Sequence, residues 1–328
     1  MPTRDRLILL FVALALLALV AFALALGAGS VPLDVARIAA VLSGDGDGLA
    51  RTLVLDLRLP RALAAFATGA LLALAGALMQ VLLRNPLADP YVLGVSGGAA
   101  VGALLMIAAG LGGAWLAASA FAGALTSTLV VFALAHGRGG WTPARLLLTG
   151  VVIASGWSAL IGLLLATSDD SSLRGMLFWL MGDFGYATDP RIEWLTLVIG
   201  LVLTLPLARQ LNVLARGDLT ARALGVAVRP LNIAIYVLAS LFTAVAVTQA
   251  GGVGFVGLVV PHILRLVAGS DHRVLLPGAA LAGGSLLVLA DTLARTLLAP
   301  QQLPVGVLTA ALGVPLFLYL LNRSRSPV

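Results

Sequence analysis

Long charge-free stretches alternate with short charged segments along the whole chain. The charge-free stretches cover residues 7–33, 62–83, 90–137, 146–168, 194–208, 230–264, 274–290 and 296–322. A helix that crosses the ~30 Å hydrocarbon core of a bilayer needs about 20 apolar residues. The pattern therefore predicts a series of membrane-spanning helices.

Two of these stretches are too long for one span, and glycines divide them. Residues 90–137 contain Gly110–Gly113 and residues 230–264 contain Gly251–Gly252, which favour turns. Segment 256–268 is short enough to be re-entrant, but we count it as a span because the arginines near the C-terminus would otherwise lie outside. We predict an all-α polytopic membrane protein with about ten spans, near residues 7–27, 62–83, 91–109, 114–135, 144–166, 192–208, 231–250, 256–268, 274–297 and 304–321.

Composition supports a membrane protein and excludes several other classes. Hydrophobic residues make up 60% of the 328 residues and charged residues only 10%, whereas soluble domains carry about 25% charged residues. The net charge of +6 comes from arginine alone, and we assign it to the cytoplasmic face rather than to a nucleic-acid partner. Because cysteine is absent, disulfides and thiolate metal sites are excluded.

The distribution of arginine predicts that both termini lie in the cytoplasm. With ten spans and an internal N-terminus, thirteen of the 20 arginines but only four of the 14 acids fall on that side, as the positive-inside rule requires. Arg4 and Arg6 before an apolar run also suggest a signal peptide, but this run of about 20 residues exceeds the 7–15 of a signal. We expect one transmembrane domain, residues 1–328.

Residues 252–257, GVGFVG, have the G-x-G-x-x-G spacing of a dinucleotide-binding turn. That reading requires a short strand before the glycines and a helix after them. Here 20 charge-free residues precede them, and Pro261 falls in the following helix. We interpret the glycines as a tight turn that also permits close helix packing.

Residues 211–230 connect two predicted spans but also have the sequence features of a short helix with an apolar face. Asp218 is positioned to cap a short helix that Gly225 ends. Leu219, Ala223 and Leu224 then share one face, with Arg222 beside them. From the residues alone, this segment either rests on lipid headgroups or fits a cytosolic partner.

The segment 168–194 is a second long connection between spans, and we predict that it lies on the outer side. Its apolar and aromatic part, LRGMLFWLMG, is too short to span the membrane. It predicts either a half-helix at the mouth of a pathway or an interfacial helix with aromatic anchors.

The outer loop 27–61 contains a predicted surface helix, VPLDVARIAAVL, and two arginines that flank Pro60. Arg58 and Arg61 either snorkel to the interface or receive an acidic soluble partner. Arg295 either pairs with Asp291 four residues earlier or joins the same surface.

Chemistry for catalysis, metal binding or ion coupling is sparse. The histidines at 136, 262 and 272 lack ligand spacing, and Asp291 is the only acid that we place well inside a predicted span. An ion-coupled secondary transporter or a membrane enzyme should carry more intramembrane ionisable residues. Energy for transport is therefore expected to come from a partner.

Long motifs in a fixed order make the chain similar to the permease subunit of type II ABC importers, which take up cobalamin, haem and iron–siderophore complexes. The resemblance is weak only in the first helix and the outer loop. The matching stretches cover residues 58–99, 173–182, 211–226, 251–277, 290–295 and 303–321.

The resemblance implies a role for each unusual segment. Residues 211–230 would form coupling helices that seat in a cytosolic ATPase, through Arg216, Gly217, Asp218, Ala221, Arg222, Leu224 and Gly225. The binding-protein docking residues would be Arg58, Arg61 and Arg295. The cytoplasmic gates would include Asn85, Leu87 and Thr142. Residues 172–181 would be a half-helix at the periplasmic mouth.

The resemblance also implies the assembly and its chemistry. Two copies of the chain would enclose one pathway and bind two copies of a cytosolic ABC ATPase and one periplasmic binding protein. ATP–Mg would be held by the ATPase, and this chain would carry no catalytic residue, cofactor or metal. We expect the cargo to be an iron complex, haem or a ferric siderophore, with cobalamin as the alternative; an ion-coupled secondary transporter is a further alternative.

Overall fold

Helices make up nearly all of this computed structural model, which describes residues 4–135, 142–185 and 189–323. Within these ranges there are fifteen α-helices and no β-strand. The helices are α1 (Arg4–Gly27), α2 (Val35–Ser43), α3 (Gly48–Arg51), α4 (Leu59–Leu82), α5 (Val95–Ala108), α6 (Ala114–Ala135), α7 (Pro143–Thr167), α8 (Asp170–Met181), α9 (Arg191–Thr204), α10 (Ala208–Leu214), α11 (Asp218–Ala223), α12 (Val228–Ala250), α13 (Val256–Ala268), α14 (His272–Thr296) and α15 (Val305–Arg323).

Ten apolar elements account for the predicted spans. Six are long enough to cross a membrane, namely α1, α4 with the helical turns before it, α6, α7, α12 and α14. A seventh is the pair α9 and α10, which is bent by 67° at the break between them. The remaining three, α5, α13 and α15, are shorter apolar helices. The prediction of an all-α polytopic membrane protein is confirmed.

Helix α4 is the central element of the bundle. Every residue from Ala64 to Leu82 is buried, and α4 packs against α1, α12, α13 and α14. Its alanines and glycines allow this burial, because small side chains let membrane helices approach closely. A Cβ atom added to Gly69 would overlap the carbonyl of Gly283 on α14, and one added to Gly76 would overlap the carbonyl of Gly257 on α13.

The second span begins earlier than residue 62, where the sequence pattern placed it. Helical structure starts at Gly48, and a π-helical segment, Thr52–Arg58, joins α3 to α4. The pattern placed the start at residue 62 because Arg58 and Arg61 interrupt the charge-free stretch, whereas in the structure both arginines lie within the helical run.

The glycine-rich motif forms the predicted turn between two membrane helices. Helix α12 ends at Ala250, and Gly251 takes a positive φ of 65°, which favours glycine. Helix α13 starts five residues later, and its second residue, Gly257, lies against α4. The prediction of a turn that allows close helix packing is therefore correct.

Two shorter predicted elements are also present at the end of the bundle that the arginine distribution predicts to face outward, which we call the outer end. Helix α2 lies in the outer loop, and Asp34 caps it by accepting a hydrogen bond from the Arg37 N–H at 2.7 Å. Helix α8 covers the predicted half-helix at residues 172–181 and ends at Gly182.

Candidate functional site

The outer end of the bundle holds a buried cluster of two arginines around one carboxylate. The Arg61 Nη2 donates to Asp291 at 2.8 Å and the Arg295 Nε at 3.1 Å. The side chain of Asp291 is only 2% exposed, and those of Arg61 and Arg295 are 14% and 10% exposed. Asp291 and Arg295 share a face of α14 because they are four residues apart. The alternative in which Arg295 pairs with Asp291 is confirmed.

Two further polar groups complete this outer cluster. Arg61 also lies 3.5 Å from the Asp183 carboxylate, just after α8, and donates to the Gln302 side-chain oxygen at 3.2 Å. Burial raises the pKa of Asp183, and the Arg61 charge opposes that rise. The cluster thus joins α4 and α14 to the segments that follow α8 and α14.

Arg58 lies near the cluster but has different contacts. Its side chain is buried, and its guanidinium donates to the carbonyls of Leu26 at 2.6 Å, Gly27 at 3.2 Å and Val31. These carbonyls belong to the end of α1 and the start of the outer loop. Arg58 therefore fixes the course of the chain between α1 and α2.

Two adjacent clefts open at the outer end of the bundle. The first, about 610 Å³, is lined by Arg58, Arg61, Phe184, Arg295 and other residues. The second, about 750 Å³, is lined in part by α8, including Arg174 and Phe178. The Arg174 guanidinium carbon lies 5.6 Å from the centroid of the Phe178 ring, within the range of a cation–π contact.

The segment predicted to lie in the cytoplasm and to contact a partner forms two short helices, α10 and α11. Leu219 of α11 and Leu224 at its C-cap are 85% and 64% exposed, whereas Ala221 is buried. Arg216 and Arg222 are exposed beside them. We call Arg216, Leu219, Arg222, Ala223 and Leu224 the cytosolic patch.

Both ends of α11 are determined by glycine. Gly217, with φ 112°, is the residue at the N-cap, so the prediction that Asp218 caps this helix is wrong. Gly225 ends the helix as predicted, with φ 78° and with hydrogen bonds from the Gly225 N–H to the Arg222 carbonyl and from the Val226 N–H to the Ala221 carbonyl. This pair of bonds is the Schellman motif.

Three polar contacts attach residues 211–230 to the neighbouring spans. Asp218, in the first turn of α11, pairs with Arg84 at 2.5 Å. On α10, the Asn212 amide donates to Asp271 at 2.8 Å and accepts from the His272 N–H at 2.8 Å. Hydrogen bonding to Arg273 lowers the pKa of Asp271, which favours its charged form.

The proposed gate residues lie at the ends of neighbouring spans. Asn85 is exposed in the loop between α4 and α5, and its side chain accepts a hydrogen bond from the Leu87 N–H at 2.9 Å. Thr142 caps α7 by accepting from the Arg145 N–H at 3.3 Å. Residues 136–141, which precede Thr142 in its loop, lie outside the described residues.

Several residues of these sites were not singled out from the sequence. Arg84, Asn212 and Asp183 owe their roles to partners far away in the chain, so no local motif indicates them. Glu193 is a second acid inside a predicted span, and it is only 4% exposed. The charge-free spacing could have indicated Glu193, since it interrupts the apolar run of α9 near its start.

No group of three or more histidine, cysteine or acidic side chains suited to a metal ion occurs among the described residues. The outer cluster places two arginines and two carboxylates next to open clefts. The cytosolic patch offers exposed apolar side chains flanked by arginines. This arrangement suits contacts with macromolecules at both ends of the bundle.

Comparison with known proteins gives a consistent result. A family model described as the FecCD transport family matches residues 16–323. The hemin transport system permease protein HmuU of Yersinia pestis is 45% identical over 285 residues, covering 83% of each chain. The vitamin B12 import system permease protein BtuC of Escherichia coli is also 45% identical, over 277 residues, covering 83% of this chain and 84% of that protein.

A solved structure supports the same relationship. It is an inward-facing conformation of a metal-chelate type ABC transporter, which superposes with a TM-score of 0.85 and 32% sequence identity. The match covers 96% of this chain and 99% of that one. The likeness therefore extends over the whole bundle.

Proposed function

Because the chain belongs to the FecCD transport family and is a permease of a type II ABC importer, we propose that it imports an iron complex, haem or a ferric siderophore, from the periplasm to the cytoplasm. ATP hydrolysis takes place on a separate partner.

The proposed assembly contains two copies of this chain, two copies of a cytosolic ABC ATPase and one periplasmic binding protein, in the bacterial inner membrane with both termini in the cytoplasm. The excess of arginine over acids on the assigned cytoplasmic side supports this orientation. Lipid covers the outward faces of the spans, and ATP–Mg is held by the ATPase.

The observation that carries the proposal of ATP-driven transport is the cytosolic patch. Two leucines, 85% and 64% exposed, lie on a short helix that is closed at its C-terminal end by a Schellman motif. Exposed apolar side chains of this size mark contact surfaces when they cluster. Arg216 and Arg222 add charge for an acidic rim on the ATPase, and Asp218 and Asn212 hold the segment against the spans.

At the outer end, the binding protein docks on the surface above the Arg61–Asp291–Arg295 cluster. Arg61 and Arg295 present positive charge to its acidic residues, in keeping with their place on the wall of the first cleft. Arg58 serves the same surface indirectly, because its guanidinium is already hydrogen-bonded to three carbonyls of the outer loop.

Nucleotide binding drives the change between inward-open and outward-open states. Closure of the ATPase dimer displaces α10 and α11, and Asn85, Leu87 and Thr142 open or close the cytoplasmic side. A shift from 1:99 to 99:1 requires about 5.5 kcal/mol of differential binding. The association of two ATPase subunits around nucleotide can supply a difference of this size.

The second cleft favours an anionic cargo with a flat face. Arg174 is exposed there, and its guanidinium lies over the Phe178 ring. A carboxylate or another anionic group can pair with the arginine while an aromatic or chelate ring contacts Phe178. Haem and many ferric complexes have this chemistry. Cobalamin is the alternative, because the vitamin B12 permease is as similar to this chain as the hemin permease is.

The test is uptake into proteoliposomes that hold this chain with its ATPase and binding protein. ATP-dependent accumulation of haem or a ferric siderophore, but not of cobalamin, is the expected result. Accumulation of cobalamin alone would show that the cargo is cobalamin and not an iron complex. Accumulation that ignores ATP and follows an ion gradient would favour a secondary transporter.

A further inference from the structure

We propose that the Arg84–Asp218 ion pair is the link through which movement of the cytosolic patch reaches the gate loop. This proposal rests on the proposed function. It concerns two residues that lie in different parts of the chain. Asp218 belongs to the helix that bears the patch, and Arg84 immediately precedes Asn85 in the loop between α4 and α5.

The geometry of the pair places it between the two sites. The Arg84 Nη2 lies 2.5 Å from the Asp218 Oδ1, and the two side chains are 36% and 32% exposed. One residue beyond Arg84, the Asn85 side chain accepts the Leu87 N–H. A displacement of α11 that carried Asp218 with it would therefore pull on the first residues of the gate loop.

The backbone at Arg84 supplies an independent argument. Helix α4 ends in a Schellman motif, in which the Arg84 N–H donates to the Val81 carbonyl at 3.2 Å and the Asn85 N–H donates to the Gln80 carbonyl at 3.2 Å. Arg84 occupies the left-handed position of this motif, with φ 47°. Glycine adopts this conformation without steric cost and is the usual residue there.

The two helix ends can be compared directly. At the end of α11 the equivalent position is Gly225, as helix-capping preferences predict. At the end of α4 a less favourable residue is present, and its side chain reaches Asp218. The ion pair is the contact that this side chain makes and that glycine could not make. We infer that position 84 is an arginine because its side chain pairs with Asp218, since the backbone conformation alone would favour glycine.

An exposed ion pair contributes little to stability, so a structural role and a linking role make different predictions. If Arg84 only ends α4, Arg84→Gly should keep or raise the stability of the protein and leave transport unchanged, because glycine adopts the left-handed conformation at this position without strain. If Arg84 links the patch to the gate, Arg84→Gly should leave folding and ATPase binding intact and uncouple the gate. The expected loss is about fivefold in cargo imported per ATP hydrolysed.

The experiment uses the whole importer and a probe that does not depend on the cargo. The chain contains no cysteine, so Leu87→Cys provides a single thiol in the gate loop. Its rate of maleimide labelling is measured in the assembled complex with and without ATP. With Arg84 present, ATP should change the rate; with Arg84→Gly, the change should be lost while ATPase binding persists. The swapped pair Arg84→Asp with Asp218→Arg should recover part of it.

Arg191→Gly is the matched control. Arg191 forms an exposed ion pair with Asp189 at 3.6 Å on the outer side, so its loss should leave the ATP response unchanged. An ATP response in Arg84→Gly equal to that of the parent would overturn the link and leave the proposed function standing. A Leu87→Cys thiol that ignores ATP even with Arg84 present would overturn the gate assignment and the link together.

Discussion

At Asp291 a single buried carboxylate pairs with two arginines that come from different helices. Arg61 donates from α4, and Arg295 donates from the next turn of α14. Removal of this carboxylate would leave two guanidinium groups, 14% and 10% exposed, without their main partner. Leaving a buried charge without its partner destabilises a protein by more than the ion pair contributed to its stability.

We expect Asp291→Ala to lower the free energy of unfolding by about 3 kcal/mol. Asp291→Asn should be milder, because its amide oxygen can still accept one hydrogen bond. The measurement is thermal unfolding in detergent. Asp189→Ala is the control, since the Asp189 side chain is 57% exposed and its ion pair with Arg191 is long, at 3.6 Å. Equal melting of Asp291→Ala and the parent would show that the cluster adds nothing to stability.

Arg58 and Arg61 should affect docking of the binding protein for different reasons. Arg61 acts through its charge, so the loss of affinity in Arg61→Ala should shrink as salt rises. Arg58 acts through the shape of the outer loop, because its guanidinium binds the carbonyls of Leu26, Gly27 and Val31. The loss in Arg58→Ala should therefore be nearly independent of salt.

Titrating the binding protein against each variant at about 50 mM and 500 mM salt separates the two effects. The parent chain supplies the reference at both concentrations. If the loss of affinity in Arg58→Ala depends strongly on salt, Arg58 contacts the binding protein directly through its charge. An unchanged affinity in Arg61→Ala would remove that residue from the docking surface.

At the scale of helices, the packing of α4 depends on positions where no side chain fits. Gly76 faces the carbonyl of Gly257, and a Cβ atom there would overlap that backbone rather than a movable side chain. Helices α4 and α13 would have to separate to accept it. Gly278, also in a buried part of the bundle, would place a Cβ atom 3.5 Å from the Leu264 side chain, which is an ordinary contact.

We therefore expect Gly76→Ala to destabilise the protein by about 2 kcal/mol, within the range for overpacking. Gly278→Ala is the matched control and should be neutral or slightly stabilising, because alanine favours helix. Both are compared by thermal unfolding and by recovery from the membrane. If the two variants behave alike, close approach at Gly76 is not what limits the packing of α4.

For the molecule as a whole, the sequence was sufficient to predict the elements but not their partners. Charge-free stretches and glycine breaks predicted the ten apolar elements, because the bilayer limits the length and polarity of a span. The family resemblance is confirmed by the match over residues 16–323. The roles of the individual site residues remain predictions.

Contacts between distant residues could not be predicted in this way. Arg84 with Asp218, and Asn212 with Asp271, depend on how spans pack, and no local motif indicates either pair. Asp218 was misassigned as a cap because aspartate favours that position. Gly217 takes the N-cap instead, and the Asp218 carboxylate pairs with Arg84. The early start of the second span was missed because Arg58 and Arg61 interrupt the charge-free stretch.

At the scale of the assembly, the cytosolic patch is expected to determine how tightly the ATPase binds. Arg222→Glu reverses a charge beside the exposed Leu219 and Leu224 without touching the buried Ala221. We expect it to weaken ATPase binding by about tenfold, because a like charge would face the acidic rim proposed for the partner. Co-purification and titration of the ATPase measure the effect.

Arg229→Glu controls for the overall loss of cytoplasmic positive charge, since Arg229 is exposed in the first turn of α12, outside the patch. It should bind the ATPase nearly as the parent does. Leu219→Ser should weaken binding in a manner independent of salt, because it removes apolar rather than charged contact. If Arg222→Glu and Leu219→Ser both bind the ATPase like the parent, α11 is not the surface that the partner holds, and ATP must act on another part of the cytoplasmic face.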